Sequence, residues 1–390
     1  MRNFVSRRAA DIKPSGIRKF FDFASERKDV ISLGVGEPDF ITPWAIREAG
    51  IKTIQKGYTQ YTSNKGLLSL REEISSYLAA RFGVFFNAEN IVITLGASEA
   101  IDITLRAVVD DGDEVLVPDP SYVSYGPCVA LAGGVPVSVP CDGDNGFKLT
   151  PENLEKVITP KTKALIFPYP NNPTGGIMEK EYIEKIIPVV LKHDLLLITD
   201  EIYAELTYGN EKYCSAASFA QLKDRVVLIS GFSKSFAMTG WRVGYVCAPE
   251  EIMHALLKIH QYTAICAPIF SQYAALSGLL NGKEDGFSAV NEMREEYDRR
   301  RKFMFKTLTG AGLSCFEPKG AFYIFPCVKC TGMTGEEFAM RLLEEEKVAV
   351  VPGNAFGAFG EYYVRVSYAY SMKNLVEATE KIAEFIKRYR

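Results

Sequence analysis

Seven short apolar segments in the middle of the chain constrain its fold more than any other feature. They lie at 91–95, 114–118, 135–139, 163–167, 195–199, 226–230 and 243–247. Stretches with helical character separate them, beginning with residues 97–109. Strands that are apolar along their whole length are typical of a mostly parallel sheet covered by helices on both faces. We therefore predict an α/β fold with a mostly parallel, seven-stranded sheet.

The 390 residues are more than one typical core holds, which favours two domains. After about residue 285 the pattern changes to a charged helix, short strands and further helices, which predicts a smaller α+β domain. These elements are expected at 291–308, 321–325, 335–345, 363–367 and 372–388. We place an N-terminal arm with part of the small domain at 1–46, the large domain at 47–285 and the small C-terminal domain at 286–390.

Composition argues against several classes of partner. The 45 basic and 48 acidic residues give a formal net charge of −3 and form no long basic run, so we expect no nucleic-acid partner. Neither an apolar stretch behind the N-terminus nor a run of about 20 apolar residues is present, which predicts a cytoplasmic protein without a membrane partner. The eight cysteines are expected to be reduced, and the pair at 327 and 330 lacks further ligands for a metal site.

Lys234 is the first candidate for chemistry, because it follows the predicted strand at 226–230 within Gly-Phe-Ser-Lys-Ser-Phe (231–236). An isolated lysine is usually a solvated surface charge. An amine in a partly apolar pocket beside other positive groups loses its proton more easily, and it can then form a Schiff base with an aldehyde. Arg242, eight residues further on, could bind a phosphate.

Asp200 follows the predicted strand at 195–199. A carboxylate there could pair with a protonated pyridine nitrogen and keep a cofactor ring electron-poor, although an isolated Asp at such a junction is more often a helix N-cap. Tyr203 and Asn172 could hydrogen-bond to the phenolic oxygen of the same ring. Their ordinary alternatives are a half-buried tyrosine and a turn.

Gly-Ala-Ser-Glu (96–99) joins a predicted strand to the start of a helix, where free backbone N–H groups suit a phosphate. Tyr122 could stack on a flat ring, although by itself it is more simply a core residue. Most of the candidates follow a strand, and ligands of such sheets gather at the carboxyl ends of the strands. This shared location is stronger evidence than any single motif.

Five motifs occur in order along the chain. They are Gly-Glu-Pro-Asp-Phe (36–40), Gly-Ala-Ser-Glu-Ala (96–100), Asn-Asn-Pro-Thr-Gly (171–175), Asp-Glu-Ile-Tyr (200–203) and Ser-Lys-Ser-Phe-Ala-Met-Thr-Gly-Trp-Arg-Val-Gly (233–244). Together they resemble the class I aminotransferases, fold type I enzymes that depend on pyridoxal 5′-phosphate (PLP), and most closely subgroup gamma. The resemblance implies ping-pong transfer of an amino group between an L-amino acid and a 2-oxo acid through pyridoxamine phosphate.

The resemblance also implies roles for individual residues. Lys234 matches the Schiff-base lysine that shuttles the substrate proton, Asp200 the partner of the pyridinium, and Tyr122 the ring-stacking residue. Asn172 and Tyr203 match the donors to the phenolic oxygen. The family's phosphate-binding positions correspond to Ala97, Ser98, Ser233 and Arg242.

Substrate and subunit contacts follow from the same resemblance. Gly36, Asn172 and Arg365 would bind the substrate α-carboxylate, for which a planar guanidinium is suited. Tyr61 would reach the phosphate in the neighbouring subunit of a homodimer. The segments at 14–18 and 320–323 resemble walls of the small domain that close on the substrate.

The substrate side chain is less constrained. Some dicarboxylate-specific relatives use a second arginine from the partner subunit, and the corresponding stretch at 259–265 contains none. Arg18 and Lys65 are alternative cations, although solvated surface charges are their more common use. The chain resembles members that act on aspartate, on aromatic amino acids or on N-acetyl-diaminopimelate. We expect an acidic donor such as aspartate, with 2-oxoglutarate as the acceptor.

Two other functions share parts of this pattern. A PLP-dependent carbon–sulfur β-lyase has the same machinery around its lysine, and nothing at Lys234 separates it from a transaminase. A non-catalytic PLP-binding regulator would need an added DNA-binding module, for which the motifs between Pro14 and Arg390 leave no room. Resemblance over the whole chain favours the transaminase.

Overall fold

The computed structural model describes residues 2, 4–14, 29–209 and 212–390. The strands of these residues are β1 (Ile31–Ser32), β2 (Ile91–Thr94), β3 (Glu114–Asp119), β4 (Val135–Pro140), β5 (Thr162–Phe167), β6 (Leu196–Asp200), β7 (Val226–Gly231), β8 (Gly244–Cys247), β9 (Tyr323–Ile324), β10 (Val348–Ala349), β11 (Val351–Pro352) and β12 (Val364–Ser367).

The α-helices of the same residues connect and cover these strands. They are α1 (Arg7–Asp11), α2 (Trp44–Gln55), α3 (Leu68–Phe82), α4 (Ala97–Val108), α5 (Tyr125–Ala132), α6 (Pro151–Glu155), α7 (Lys180–Lys192), α8 (Glu250–Thr263), α9 (Ile269–Asp285), α10 (Ser288–Gly310), α11 (Gly335–Glu346) and α12 (Met372–Tyr389). Among them, no helix combines the length and the apolar character needed to cross a membrane.

The predicted seven-stranded α/β sheet is confirmed, with the strand order β2-β8-β7-β6-β5-β3-β4. All neighbouring strands run parallel except β8, which is antiparallel to both β2 and β7. The strands β2, β7 and β8 are buried along their whole length, as their apolar sequences predict. Of the two edge strands, β4 is the more exposed, whereas β2 is buried.

The C-terminal part forms an α+β arrangement, as predicted. The strands β11, β12 and β9 make an antiparallel sheet, and β1 pairs in parallel with β10. Aromatic side chains such as Tyr297, Phe338 and Phe385 lie in its core. The strand predicted at 321–325 is shorter than expected, because Ala321 has a φ of 55° that an extended strand does not allow. The domain boundaries themselves stay a prediction.

Close backbone contact fixes the start of α4 against the sheet. A Cβ atom on Gly244, at the start of β8, would lie 2.7 Å from the backbone nitrogen of Ala97. Gly96, which precedes the helix, has a φ of 79°, a conformation that favours glycine. Any larger residue at Gly244 would push the helix N-terminus away from the sheet, so these glycines set the position of the first turn.

Candidate active site

A cavity of about 500 Å³ opens at the carboxyl ends of the parallel strands. Its lining brings together every predicted site residue except Tyr61, namely Gly36, Ala97, Ser98, Tyr122, Asn172, Asp200, Tyr203, Ser233, Lys234, Arg242 and Arg365. These residues come from widely separated parts of the sequence. The large sheet assembles most of them, because the strands that precede them end at the same edge, whereas Arg365 comes from β12 of the smaller sheet.

Lys234 follows β7 and points into the cavity, where its Nζ donates a hydrogen bond to the carbonyl oxygen of Gly36 at 2.7 Å. Burial lowers the pKa of the Lys234 ammonium to about 8, while the charge of Glu37 raises it and those of Arg365 and Arg242 lower it. A larger fraction of this amine is therefore neutral near pH 7 than of an exposed lysine, as a nucleophile requires.

Asp200 ends β6 and is buried. Its Oδ2 accepts a hydrogen bond from the hydroxyl of Tyr125 at 2.8 Å, and its Oδ1 accepts one from the backbone of Ile202. Burial raises the pKa of the Asp200 carboxyl, whereas these two hydrogen bonds lower it. No helix begins here, so the N-cap alternative does not apply, and a cationic partner in the cavity would stabilise the charged form.

Arg365 lies on β12, with 3% of its surface exposed. Its Nη1 donates to Asn172 Oδ1 at 2.9 Å, and its Nη2 donates to the carbonyl oxygen of Gly34. The guanidinium lies 4.5 Å from the ring centre of Tyr323 and 4.9 Å from that of Phe356. Its buried Nε has no hydrogen-bond partner among the described residues. These contacts hold a cation with an unused donor beside the cavity.

The first turn of α4 contributes Ala97 and Ser98 to the cavity. The first N–H groups of a helix have no acceptor within it, so this turn can bind an anion. Arg242 lies directly beside Gly96. A Cβ atom on that glycine would be only 2.8 Å from Arg242 Nη2. The same guanidinium donates to the carbonyl oxygens of Thr239 at 2.9 Å and Leu95 at 3.1 Å. We call this arrangement of the first turn of α4 and Arg242 the phosphate cup. It combines free backbone N–H groups with a fixed positive charge.

The family model for aminotransferase class I and II matches residues 28–382. The chain belongs to this family. A Bacillus subtilis protein named only as an aminotransferase is 51% identical over 389 residues, which cover all of both chains. An aspartate aminotransferase of Pyrococcus abyssi is 46% identical over 96% of both chains. The crystal structure of an aromatic aminotransferase from Pyrococcus horikoshii is 45% identical, with a TM-score of 0.90 over 95% of this chain and 99% of that one.

Two tyrosines of this aminotransferase complete the site and were not among the predicted residues. Tyr125 is the donor to Asp200, and it follows the predicted Tyr122 by three residues. The hydroxyl of Tyr323 lies 2.9 Å from that of Tyr203, and its ring packs on Arg365. The sequence placed Tyr323 in a wall of the cavity but gave no signal for these contacts.

Two candidate residues of the aminotransferase lie outside the cavity, and a third is not among the described residues. Tyr61 is 78% exposed and does not line the cavity. Lys65 is an unsuitable substrate ligand, because its Nζ already donates to Glu89 Oε2 at 2.7 Å and to the Glu89 carbonyl oxygen. Arg18, with most of the predicted wall at 14–18, lies outside the described residues.

Proposed function

We propose that this aminotransferase uses PLP to move an amino group from an acidic L-amino acid such as aspartate to a 2-oxo acid such as 2-oxoglutarate, by a ping-pong reaction. One observation carries the proposal. An amine with a lowered pKa, a buried carboxylate and a buried guanidinium line a single cavity, in Lys234, Asp200 and Arg365. PLP chemistry on an amino acid needs these three groups, for attachment, for ring charge and for the substrate carboxylate.

The lining fits PLP group by group. Lys234 would carry the aldehyde carbon, Asp200 would face the ring nitrogen, and Tyr122 would stack on the ring. Asn172 and Tyr203 offer donors to the phenolic oxygen. The phosphate would be held by Ala97, Ser98, Ser233 and Arg242. When bound, PLP withdraws electrons from the substrate Cα and stores the amino group between the two half-reactions.

The protein's own part in the reaction is binding and proton transfer. Arg365 would bind the α-carboxylate, with Asn172 and the Gly36 backbone beside it, and so fix which Cα bond faces Lys234. Lys234, once displaced by the incoming amine, would act as the base that removes the Cα proton and returns it to the cofactor side. Asp200, held by Tyr125, would keep the opposite end of the site negative.

An acidic donor places a further demand on the site. The described cations of the cavity are Lys234, Arg242 and Arg365, and each already has a role. Glu37 adds a negative charge to the same lining. The side-chain carboxylate of the donor would therefore have to pair with Arg18 or with a residue of a second subunit. A relative named aspartate aminotransferase supports the acidic donor, and one named aromatic aminotransferase supports an aromatic alternative.

The test is a single half-reaction. The PLP-loaded protein is mixed with one amino acid at a time, without an acceptor, and its absorption is followed as the cofactor takes up the amino group. We expect aspartate and glutamate to react fastest, with phenylalanine and N-acetyl-diaminopimelate slower. If phenylalanine or N-acetyl-diaminopimelate reacted faster than aspartate and glutamate, the donor would belong to that class and not to the acidic amino acids. Release of pyruvate and ammonia from sulfur-containing substrates, without amination of the cofactor, would establish a β-lyase instead.

We further propose a homodimer. A groove lined by the exposed side chains of Ile41, Ile51 and Ile54 shares Glu37 and Thr239 with the cavity, so apolar surface adjoins the cavity mouth. Contiguous exposed apolar side chains beside a binding site commonly mark protein interfaces. Tyr61 is exposed, as its proposed role in a neighbouring subunit requires.

Sedimentation measures the assembly directly. We expect a mass twice the 43.4 kDa of one chain, and a shift toward one chain in Ile54→Asp, because a buried charge at the interface is unfavourable. Lys192→Asp, at an exposed position of α7, is the matched control and should leave the mass unchanged. A wild-type protein that sediments with the mass of one chain while it transfers amino groups would contradict the dimer.

A further inference from the structure

A buried histidine lies behind the first turn of α4. His260, on the packed neighbour α8, has 0% of its side chain exposed, and its Nδ1 is 2.8 Å from Glu99 Oε1. Its Nε2 is buried and has no hydrogen-bond partner among the described residues. Neither residue lines the cavity. Burying an imidazole with an unpaired nitrogen costs free energy, so packing alone does not account for a histidine here.

Glu99 connects this histidine to the cup. It is the third residue of α4, directly after Ala97 and Ser98, and 11% of its side chain is exposed. Its second oxygen, Oε2, accepts a hydrogen bond from the backbone N–H of Leu95 at 2.5 Å. The carbonyl oxygen of Leu95 in turn accepts from Arg242 Nη2 at 3.1 Å. A continuous set of contacts therefore joins His260 to the arginine of the cup.

The position of the Glu99 carboxylate matters because it competes with a phosphate. A glutamate at this third helical position commonly turns back toward the N-cap backbone N–H, which is adjacent to the first-turn N–H groups that bind an anion. Here one oxygen is held by His260 and the other by the backbone N–H of Leu95, so both oxygens are engaged by groups other than the N–H groups of Ala97 and Ser98. Without the histidine, one carboxylate oxygen would be free to occupy the cup.

We propose that Glu99 and His260 form a positioning pair that keeps the phosphate cup open and correctly shaped, and so gives this site its preference for the phosphorylated form of pyridoxal. The pair touches neither ring nor substrate. Because the phosphate is that of PLP, this role rests on the proposed function. It extends that function by assigning phosphate selectivity to two residues behind the cup.

The experiment compares two ligands of the cofactor-free protein, PLP and pyridoxal, which differ only in the phosphate. In His260→Phe, which keeps a ring of similar size, we expect the dissociation constant for PLP to rise roughly tenfold or more, as for loss of one hydrogen bond to a charged group. The constant for pyridoxal should change less than about twofold. His260→Asn, which keeps a donor near the Nδ1 position, should restore most of the PLP affinity.

Further variants make the outcome decisive. His193→Phe breaks the other described histidine–glutamate pair, with Glu155 at 3.0 Å, and should leave both constants unchanged. Glu99→Ala combined with His260→Phe should weaken PLP no more than Glu99→Ala alone, since the two residues act as a unit. If His260→Phe does not fold, Glu99→Gln, which weakens the same pair while keeping its shape, replaces it as the disruptive variant, and His260→Asn stays the conservative control.

The possible results separate this role from the proposed function. Equal weakening of PLP and pyridoxal, or unchanged affinity for both, would show a structural role only and overturn the pair. A wild-type protein that binds neither ligand would overturn the proposed function. Selective loss of PLP affinity in His260→Phe, with most of that affinity restored in His260→Asn and pyridoxal binding unaffected in both, supports the pair.

Discussion

We expect Lys234→Ala to reduce kcat by roughly 10⁴-fold or more, because one side chain is proposed both to attach the cofactor and to move the substrate proton. Its Nζ lies in the cavity with a pKa of about 8, and no other described lysine lines that cavity. Steady-state amino transfer measures the loss. The absorption band of lysine-bound PLP should also be absent, whatever the substrate.

The fold should survive this substitution. Burial lowers the pKa of Lys234 to about 8, so keeping its charge in the folded protein at pH 7 costs free energy relative to the unfolded chain. Alanine removes that cost, so we expect thermal unfolding of the cofactor-free variant at or above the wild-type temperature. Lys192→Ala, which removes an exposed lysine paired with Glu155, is the control and should keep full activity. Wild-type turnover by Lys234→Ala would refute the assignment.

The strands of the large sheet could be predicted because burial on both faces leaves a readable signal. The segment predicted at 226–230 is apolar throughout, and β7 occupies Val226–Gly231 with every residue buried. Strand direction leaves no such signal. The segment at 243–247 is equally apolar, yet β8 (Gly244–Cys247) runs antiparallel to both neighbours, because direction depends on the path of the connection.

The site could be predicted as far as single residues carry their own chemistry. Lys234 and Asp200 are charged residues that follow apolar strands, whereas Arg365 was expected only from the resemblance to the aminotransferase family. Contacts between distant residues are not. Tyr125 meets an aspartate that is 75 residues away in the chain, and only the folded sheet brings them together. The sequence likewise did not show that Lys65 is paired with a glutamate 24 residues away, which makes it unavailable as a cation for the substrate.

We expect Arg365→Lys to lower kcat/KM for amino acids by roughly 10²- to 10³-fold, even though the charge is retained. The guanidinium uses its planar shape fully, with Nη1 on Asn172, Nη2 on the Gly34 carbonyl, and its faces on Tyr323 and Phe356. An ammonium is a compact point charge that cannot make these contacts and a bidentate grip at once. Weakening a buried, hydrogen-bonded charge pair costs about 2–5 kcal/mol, which corresponds to this range.

The loss of kcat/KM in Arg365→Lys should be confined to substrates that carry an α-carboxylate. KM for the amino acid and for the 2-oxo acid should both rise, because each carries the same α-carboxylate, while PLP affinity should change less than about twofold. A primary amine that lacks the carboxylate should react equally slowly with both proteins. Arg301→Lys replaces another buried arginine, paired with Asp298 and Glu317 outside the cavity, and should alter neither KM. If Arg365→Lys slowed the simple amine as much as the amino acid, the guanidinium would be acting on the architecture of the site, and the carboxylate would have to be bound by another group.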